Sequence, residues 1–207
     1  AMVTDLRAGG MAGGSGEQAQ TTSLLNQMMR HYNLPNSSIA GASDSNIPDY
    51  QAGYEKALTI ATSAQSGSNL ITQASGMLSG LMGVSHESFI LDNELCGSIL
   101  SSMRSVDMQA LANDLVSIKQ VIGQDKHFLG EPDTLKRMNT DFNYPKSAKR
   151  LSPELWMQEK GNTMLNEASK TLENLLSSKF ESHISLETLK KLETEFEINL
   201  DVIYGQR

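Results

Sequence analysis

Polar side chains follow a short run of small and apolar residues in the first quarter of the chain. The run is Ile39–Ala42, and hydroxyl, carboxyl and amide groups come directly after it. In α/β proteins the carboxyl ends of the strands and the loops that follow them face the active site. We therefore predict a substrate-binding site here, with no catalytic residue and no metal ligand assigned. Its candidate residues are Ser43, Asp44, Ser45, Asp49 and Gln51, together with Gln73 in a second predicted strand.

Each candidate also has a structural interpretation. Asp49 directly precedes a predicted helix, where a carboxylate accepts hydrogen bonds from free backbone N–H groups. Asp44 is an ordinary turn former. Gln51 and Glu55 are four residues apart, so both can lie on one solvated helix face. Gln73 falls in a predicted buried strand, where a polar side chain needs a hydrogen-bond partner.

The elements that carry these residues alternate between strand and helix. We predict a strand over about Ser38–Ala42, a helix that opens at Pro48 and Asp49 and ends near Gly67, and a second strand over Asn69–Ala74. Proline and aspartate at the start of the helix fit its first turn and the positive end of its dipole. Alternation of this kind is typical of a parallel α/β architecture.

The second part of the chain has the pattern of amphipathic helices. Apolar residues recur at helical spacing from Met108 to Ile122. Further along the chain, Ser152-Pro153 predicts the start of a helix that continues through Leu176. We expect Ser185 to begin the last helix, and Asp92 and Glu94 to lie in a first helical turn. The apolar stripe is formed by Met108, Leu111, Leu115, Ile118 and Ile122. These features predict a partial βα barrel segment over residues 1–90 and a helical C-terminal region packed on it over residues 91–207.

Composition excludes several classes of protein. The chain has 207 residues, a formal net charge of -7 and one cysteine, Cys96. A disulfide framework and a cysteine-rich metal site are impossible, and the histidines show no spacing typical of metal ligands. Without a basic run, nucleic-acid binding is not expected. No apolar run reaches the length of a membrane span, and the first residues do not resemble a signal peptide, so we expect a cytoplasmic protein.

Two strands are too few to form a sheet with a core of its own. A complete eight-stranded barrel needs about 250 residues. The sequence therefore predicts either a portion of a barrel or a shorter, mostly helical protein with a remnant sheet. An open strand edge favours pairing with another copy, so we expect a homo-oligomer.

Five short segments follow one another along the chain: Arg30–Pro35, Asp44 followed by Pro48–Glu55, Gly67–Ile71, Asp92–Glu94, and His127–Leu129 before Thr134. In their order and spacing over most of the chain, these segments resemble the C-terminal part of the trimethylamine methyltransferase family.

This resemblance implies a fold and an activity. Family members are (β/α)8 TIM barrels that transfer a methyl group from a methylamine or a quaternary amine to the Co(I) corrinoid of a separate protein. The chain would then be the C-terminal portion of a TIM barrel with few parallel strands, followed by a mostly helical region. It would bind no cofactor tightly, and its partners would be a small methylated amine and a corrinoid (cobalamin) protein. Because a quaternary ammonium cannot donate a hydrogen bond, carboxylates and aromatic faces would hold it. Tyr50 and Tyr54 could form walls of such a site, although packing in the core or between helices is the favoured interpretation of both.

Two hypotheses of different classes follow. In the first, the chain is a methyltransferase, or a portion of one, that acts on trimethylamine or a betaine. In the second, it is a non-catalytic, truncated relative that acts as an interaction or assembly protein. The N-terminal half of the family's barrel has no counterpart in this chain, and this is the reason to keep the second hypothesis.

Overall fold

A computed structural model describes residues 1–124, 127–178, 183–196 and 198. These residues form α-helices joined by loops and short two-stranded sheets. The helices are α1 Gly16–His31, α2 Tyr50–Gln65, α3 His86–Ser102, α4 Ala110–Gly123, α5 Pro132–Thr140, α6 Pro153–Gln158, α7 Met164–Ser177 and α8 Leu186–Phe196. The strands are β1 Thr4–Asp5, β2 Gly10–Met11, β3 Ser37–Ile39, β4 Leu70–Thr72, β5 Met77–Leu78 and β6 Gly83–Val84.

Strands β3 and β4 form a parallel pair connected by helix α2. Ser37 is paired with Leu70, and Ile39 is paired with Thr72. The other two sheets, β1–β2 and β5–β6, are antiparallel. The predicted parallel strands and the helix between them are therefore confirmed, although both strands are shorter than predicted. This βαβ unit places the ends of β3 and β4 at one edge, as the predicted site requires.

The core lies where α3 packs against the βαβ unit. Ala40, Ile60 and Ile99 are buried together, and Ile71, Leu95 and other partly buried apolar residues pack against them. Helix α2 packs against both α1 and α3. Small residues at the end of β3 let the strand approach the helix closely, so the backbone around the candidate site is fixed by packing.

Buried polar side chains connect α1 to the same unit. Asn26 of α1 donates from Nδ2 to Oγ of Ser66 at 2.7 Å, and its Oδ1 accepts from Oγ of Ser38 at 3.1 Å. The amide therefore ties α1 to the end of α2 and to β3. Because a buried amide without partners is costly, this arrangement fixes one position of α1 against the strand.

The helix predicted from Ser152 through Leu176 is wrong as a single element. Ser152 does begin a helix, since its Oγ accepts from the N–H of Leu155, but α6 ends at Gln158. Lys160 and Gly161 have φ values of 60° and 64°, outside the helical region. A Cβ on Gly161 would lie 2.9 Å from the Trp156 ring. Glycine is therefore required where the chain folds back over Trp156, and α7 starts afresh at Met164.

Glu94 of α3 holds a loop that follows α5. Its Oε1 accepts from the N–H groups of Lys146 and Ser147 at 2.8 and 2.7 Å, and its Oε2 accepts from Ala148 at 3.3 Å. Since α3 starts at His86, the predicted first-turn role of Glu94 is wrong. The carboxylate instead fixes residues 146–148 against the middle of the helix.

The chain divides into two compact units, Ala1–Ser169 and Lys170–Arg207. In the second unit Oγ of Ser185 accepts from the N–H of Thr188 at 3.2 Å, so the predicted start of the last helix is confirmed. No helix in the described ranges is long and apolar enough to cross a lipid bilayer. The division at residue 90 remains a prediction.

Candidate substrate site at the strand ends

The chain that leaves β3 is built around the buried carboxylate of Glu55. Ser43 is fully buried and donates from Oγ to Oε2 of Glu55 at 2.7 Å, and the N–H of Asp44 donates to the same oxygen at 2.8 Å. Ser43 Oγ in turn accepts from the N–H of Ser45 at 3.0 Å. The carboxylate of Glu55, in the first turns of α2, therefore holds Ser43 and Asp44 directly and Ser45 through Ser43.

Glu55 was expected on a solvated helix face, and that interpretation is wrong. The residue is 5% exposed, and its second oxygen, Oε1, accepts from Nε2 of Gln51 at 2.9 Å and from the Tyr54 hydroxyl at 3.4 Å. A Cβ on Gly14 would lie 2.6 Å from Cδ of Glu55, so only glycine fits beside this carboxyl. Gln51 thus belongs to the site as a neighbour of Glu55.

Asp44 is held from the other side by the glycine-rich segment. Its carboxylate accepts from the N–H groups of Gly13 at 3.2 Å and Gly14 at 3.4 Å. Burial, and next the charge of Glu55, raise the pKa of Asp44, whereas the two backbone hydrogen bonds act in the opposite direction. Two carboxylates close together in this way produce a local negative potential.

Asp49 is the N-cap of α2. Its Oδ1 accepts from the N–H of Ala52 at 2.9 Å and from the Ser45 hydroxyl at 2.9 Å. The hydrogen bond from Ala52 is the main reason that the pKa of Asp49 is lowered. The helix-start interpretation of Asp49 is confirmed, and Ser45 connects this cap to the rest of the site.

Gln73 lies outside this network. It directly follows β4, is exposed, and has a φ of 61°. The expectation of a buried glutamine within a strand is therefore wrong, because the strand ends at Thr72. Among the described residues, Gln73 makes no hydrogen bond to the other five candidates.

The loops that leave the two strands are nevertheless joined. The N–H of Ser79 donates to the carbonyl of Ser45 at 2.8 Å, and the N–H of Gly80 donates to the carbonyl of Ser43 at 2.9 Å. A Cβ on Gly41 would lie 2.8 Å from Cα of Ala74, so the strand ends touch through their backbones. The region after β3 and the region after β4 therefore form one rim.

Two tyrosines stand beside the carboxylates. The rings of Tyr50 and Tyr54 are 5.7 Å apart at 49°, and the residues are 86% and 49% exposed. Desolvation, and next the charge of Glu55, raise the pKa of the Tyr54 hydroxyl. Exposed aromatic faces next to carboxylates provide the chemistry that attracts an organic cation.

No cation of the chain neutralises this region in the described part of the structure. The ion pairs there include none to Asp44, Asp49 or Glu55, and Lys56, the neighbour of Glu55, faces Asp92 instead. The same residues contain no group of three or more acidic, histidine or cysteine side chains placed to hold a metal ion. The rim is thus acidic and aromatic.

Sequence analysis missed three ionisable residues at or behind the rim: Glu55, Lys56 and Asp92. Asp92 lies in the middle of α3 and is buried, so its predicted first-turn role is wrong. The spacing between Gln51 and Glu55 was a usable signal for their contact. Nothing local identifies the partner of Lys56, which is 36 residues away in the sequence.

Comparison with known proteins places the chain in a family of methyltransferases. The family described as trimethylamine methyltransferase (MTTB) matches residues 1–198. The chain belongs to the trimethylamine methyltransferase family.

Individual relatives agree with this assignment. A glycine betaine methyltransferase of Desulfitobacterium hafniense (strain Y51) is 32% identical over 163 residues, which are 78% of this chain and 33% of that protein. The trimethylamine methyltransferase MttB of Methanosarcina barkeri (strain Fusaro / DSM 804) is 27% identical over 192 residues, 91% of this chain and 38% of that protein. The matched region thus spans about a third of the length of these relatives.

Proposed function

We propose that this chain contributes the substrate-binding rim of a methyltransferase acting on a methylated amine, such as trimethylamine or a betaine. The single observation that carries the proposal is the acidic and aromatic rim, with Asp44 and Glu55 close together and no ion-pair partner for either among the described residues. Family membership supports the same chemistry.

A quaternary or protonated tertiary ammonium offers methyl groups and a positive charge. The rim carboxylates would attract that charge, and Tyr50 and Tyr54 would contact the methyl groups with their ring faces. Transfer breaks the carbon–nitrogen bond, and the amine leaves as a neutral molecule with the bonding electrons. This chain's residues therefore need to bind and orient the cation, and little acid–base chemistry is required.

The methyl acceptor in this proposal is a Co(I) corrinoid carried by a partner protein, which supplies a strong nucleophile. We further propose that β3, α2 and β4 are one βαβ unit of a TIM barrel, with the corrinoid approaching the strand ends. An open mouth at these ends suits the exposed position of Tyr50.

The test uses the full-length natural gene product, free cob(I)alamin and either trimethylamine or glycine betaine. We expect consumption of cob(I)alamin to depend on the amine. Asp44→Asn should lower kcat/KM about tenfold, because it removes one charge near the bound cation. Asp5→Asn is the matched control, since Asp5 is an acid paired with Arg7 in the β1–β2 region and should leave the rate unchanged.

Absence of methyl transfer to cob(I)alamin by a folded protein, with either amine, would contradict the proposal. A second function, that of an interaction or assembly protein, would then be favoured. The exposed apolar stripe of α4 is the observation that supports this alternative, because large apolar patches mark contact surfaces.

A further inference from the structure

A buried ion pair lies behind the rim and has no part in the proposed binding of substrate. Lys56 of α2 and Asp92 of α3 are 1% and 5% exposed, and Nζ of Lys56 is 2.5 Å from Oδ2 of Asp92. Such a pair seldom stabilises a fold more than apolar residues of similar volume would. Stability alone therefore gives little reason for placing two charges here.

The same carboxylate oxygen holds the loop after β4. The N–H of Gly76 donates to Oδ2 of Asp92 at 2.8 Å. Gly76 has a φ of +81°, and a Cβ there would lie 2.5 Å from the Phe89 ring. Two side chains of α3 thus fix Gly76, one by a hydrogen bond and one by contact.

Gly76 is continuous with the candidate site. It follows Gln73 by three residues and Ala74, which touches Gly41, by two. Beyond it, Ser79 and Gly80 donate to the carbonyls of Ser45 and Ser43. A shift of Gly76 would therefore be transmitted to the backbone that carries the residues after β3.

We propose that Asp92 is a positioning residue for the substrate site, which holds Gly76 and through it the rim, while Lys56 balances its charge and fixes its orientation. This inference rests on the proposed function. It assigns to α3 a role in substrate affinity that acts through the backbone of the loop after β4.

Two double variants separate the positioning role from the ion pair. Lys56→Met/Asp92→Asn removes both charges but keeps a side-chain oxygen that can accept from Gly76. Lys56→Met/Asp92→Leu removes both charges and the acceptor, with a side chain of similar size. Should the leucine variant not fold, Asp92→Ala in the same background repeats the comparison without steric conflict.

The first measurement is backbone hydrogen exchange in the full-length gene product, followed for peptides that cover residues 73–80. We expect exchange roughly tenfold faster without the acceptor and nearly unchanged with asparagine, in line with the loss of one buried hydrogen bond. Peptides from α1 serve as the internal reference. Equal exchange in the two variants would overturn the proposal.

The second measurement is steady-state kinetics with trimethylamine. Without the acceptor, KM should rise roughly tenfold at nearly constant kcat, and asparagine should restore KM to within about twofold of the original value. A purely structural role would instead lower the amount of active protein in both variants. Equal KM values in an active pair would also overturn the proposal.

These outcomes distinguish the two levels of inference. If the unaltered protein transfers no methyl group but the exchange rates differ, the proposed function fails and Asp92 remains an anchor of the loop. If methyl transfer occurs and the variants do not differ, the proposed function stands and the positioning role fails.

Discussion

The strand ends and helix α4 use polar and apolar residues in opposite ways. At the strand ends the carboxylate of Glu55 is buried and satisfied by surrounding donors. On α4 the apolar stripe is largely open, with Leu115 and Ile122 59% and 69% exposed. A periodic apolar pattern therefore predicted the helix correctly but not the burial of its apolar face. Periodicity shows which residues share a face, and it does not show whether another element packs against that face.

The largest difference between the two regions should appear when the buried charge is left unpaired. Lys56→Met should lower the free energy of unfolding by about 3–5 kcal/mol at neutral pH, because the Asp92 carboxylate loses its partner. Urea denaturation measures this change. Arg7→Met, which removes an exposed pair with Asp5, is the control and should have no measurable effect.

The same variant has a predicted pH dependence. Burial raises the pKa of Asp92 and Lys56 opposes this, so loss of Lys56 should raise the pKa further. A carboxyl group whose pKa is higher in the folded than in the unfolded protein lowers the free energy of unfolding at a pH above these pKa values. Protonation of the group at lower pH removes this destabilisation. The destabilisation by Lys56→Met should thus shrink as the pH falls from 8 to 5. A loss that is constant over this range would contradict an unpaired buried carboxylate.

A smaller effect is expected where backbone and side chain are in contact. Gly14→Ala would place a methyl group 2.6 Å from Cδ of Glu55, and we expect a loss of about 1–3 kcal/mol on denaturation. Gly53→Ala in α2 is the matched control. It has open space around its Cβ position and should stabilise the helix by roughly 1 kcal/mol. Equal effects of the two substitutions would mean that Glu55 is not closely packed.

The smallest effect is expected on the exposed stripe. Leu115→Gln on α4 should change the free energy of unfolding by no more than about 0.5 kcal/mol, because the leucine is exposed. Ile60→Ala in the core is the contrast and should cost about 2–5 kcal/mol. A large loss for Leu115→Gln would show that this face is covered in solution, and the comparison between the two regions would then need revision.

Much of the local structure could be predicted because its causes are local. Asp49 begins α2 and Ser152 begins α6 through hydrogen bonds to N–H groups three residues on. The parallel pairing of β3 with β4 followed from the alternation of elements. The break at Lys160 and Gly161 was missed, since apolar spacing continues on both sides of it.

The candidate site was predicted in place but not in detail. Ser43, Asp44 and Ser45 were found because they follow a strand, and the structure joins them through Glu55. Sequence spacing does not reveal burial, so it predicts a solvated face for Glu55 and a first-turn position for Asp92. Glu55 accepts from Ser43 and Asp44, and Asp92 is paired with Lys56; these partners lie 11 to 36 residues away in the sequence, so tertiary packing brings them together.

The loop at residues 146–148 binds a carboxylate much as an anion-binding loop binds its ligand, with consecutive backbone N–H groups directed at it. Here the anion is the protein's own Glu94. Because Glu94 is attached to α3, free sulfate or phosphate could bind to the loop only by displacing this tethered carboxylate. The position of this segment is consequently set by one side chain of α3 rather than by the length of the loop.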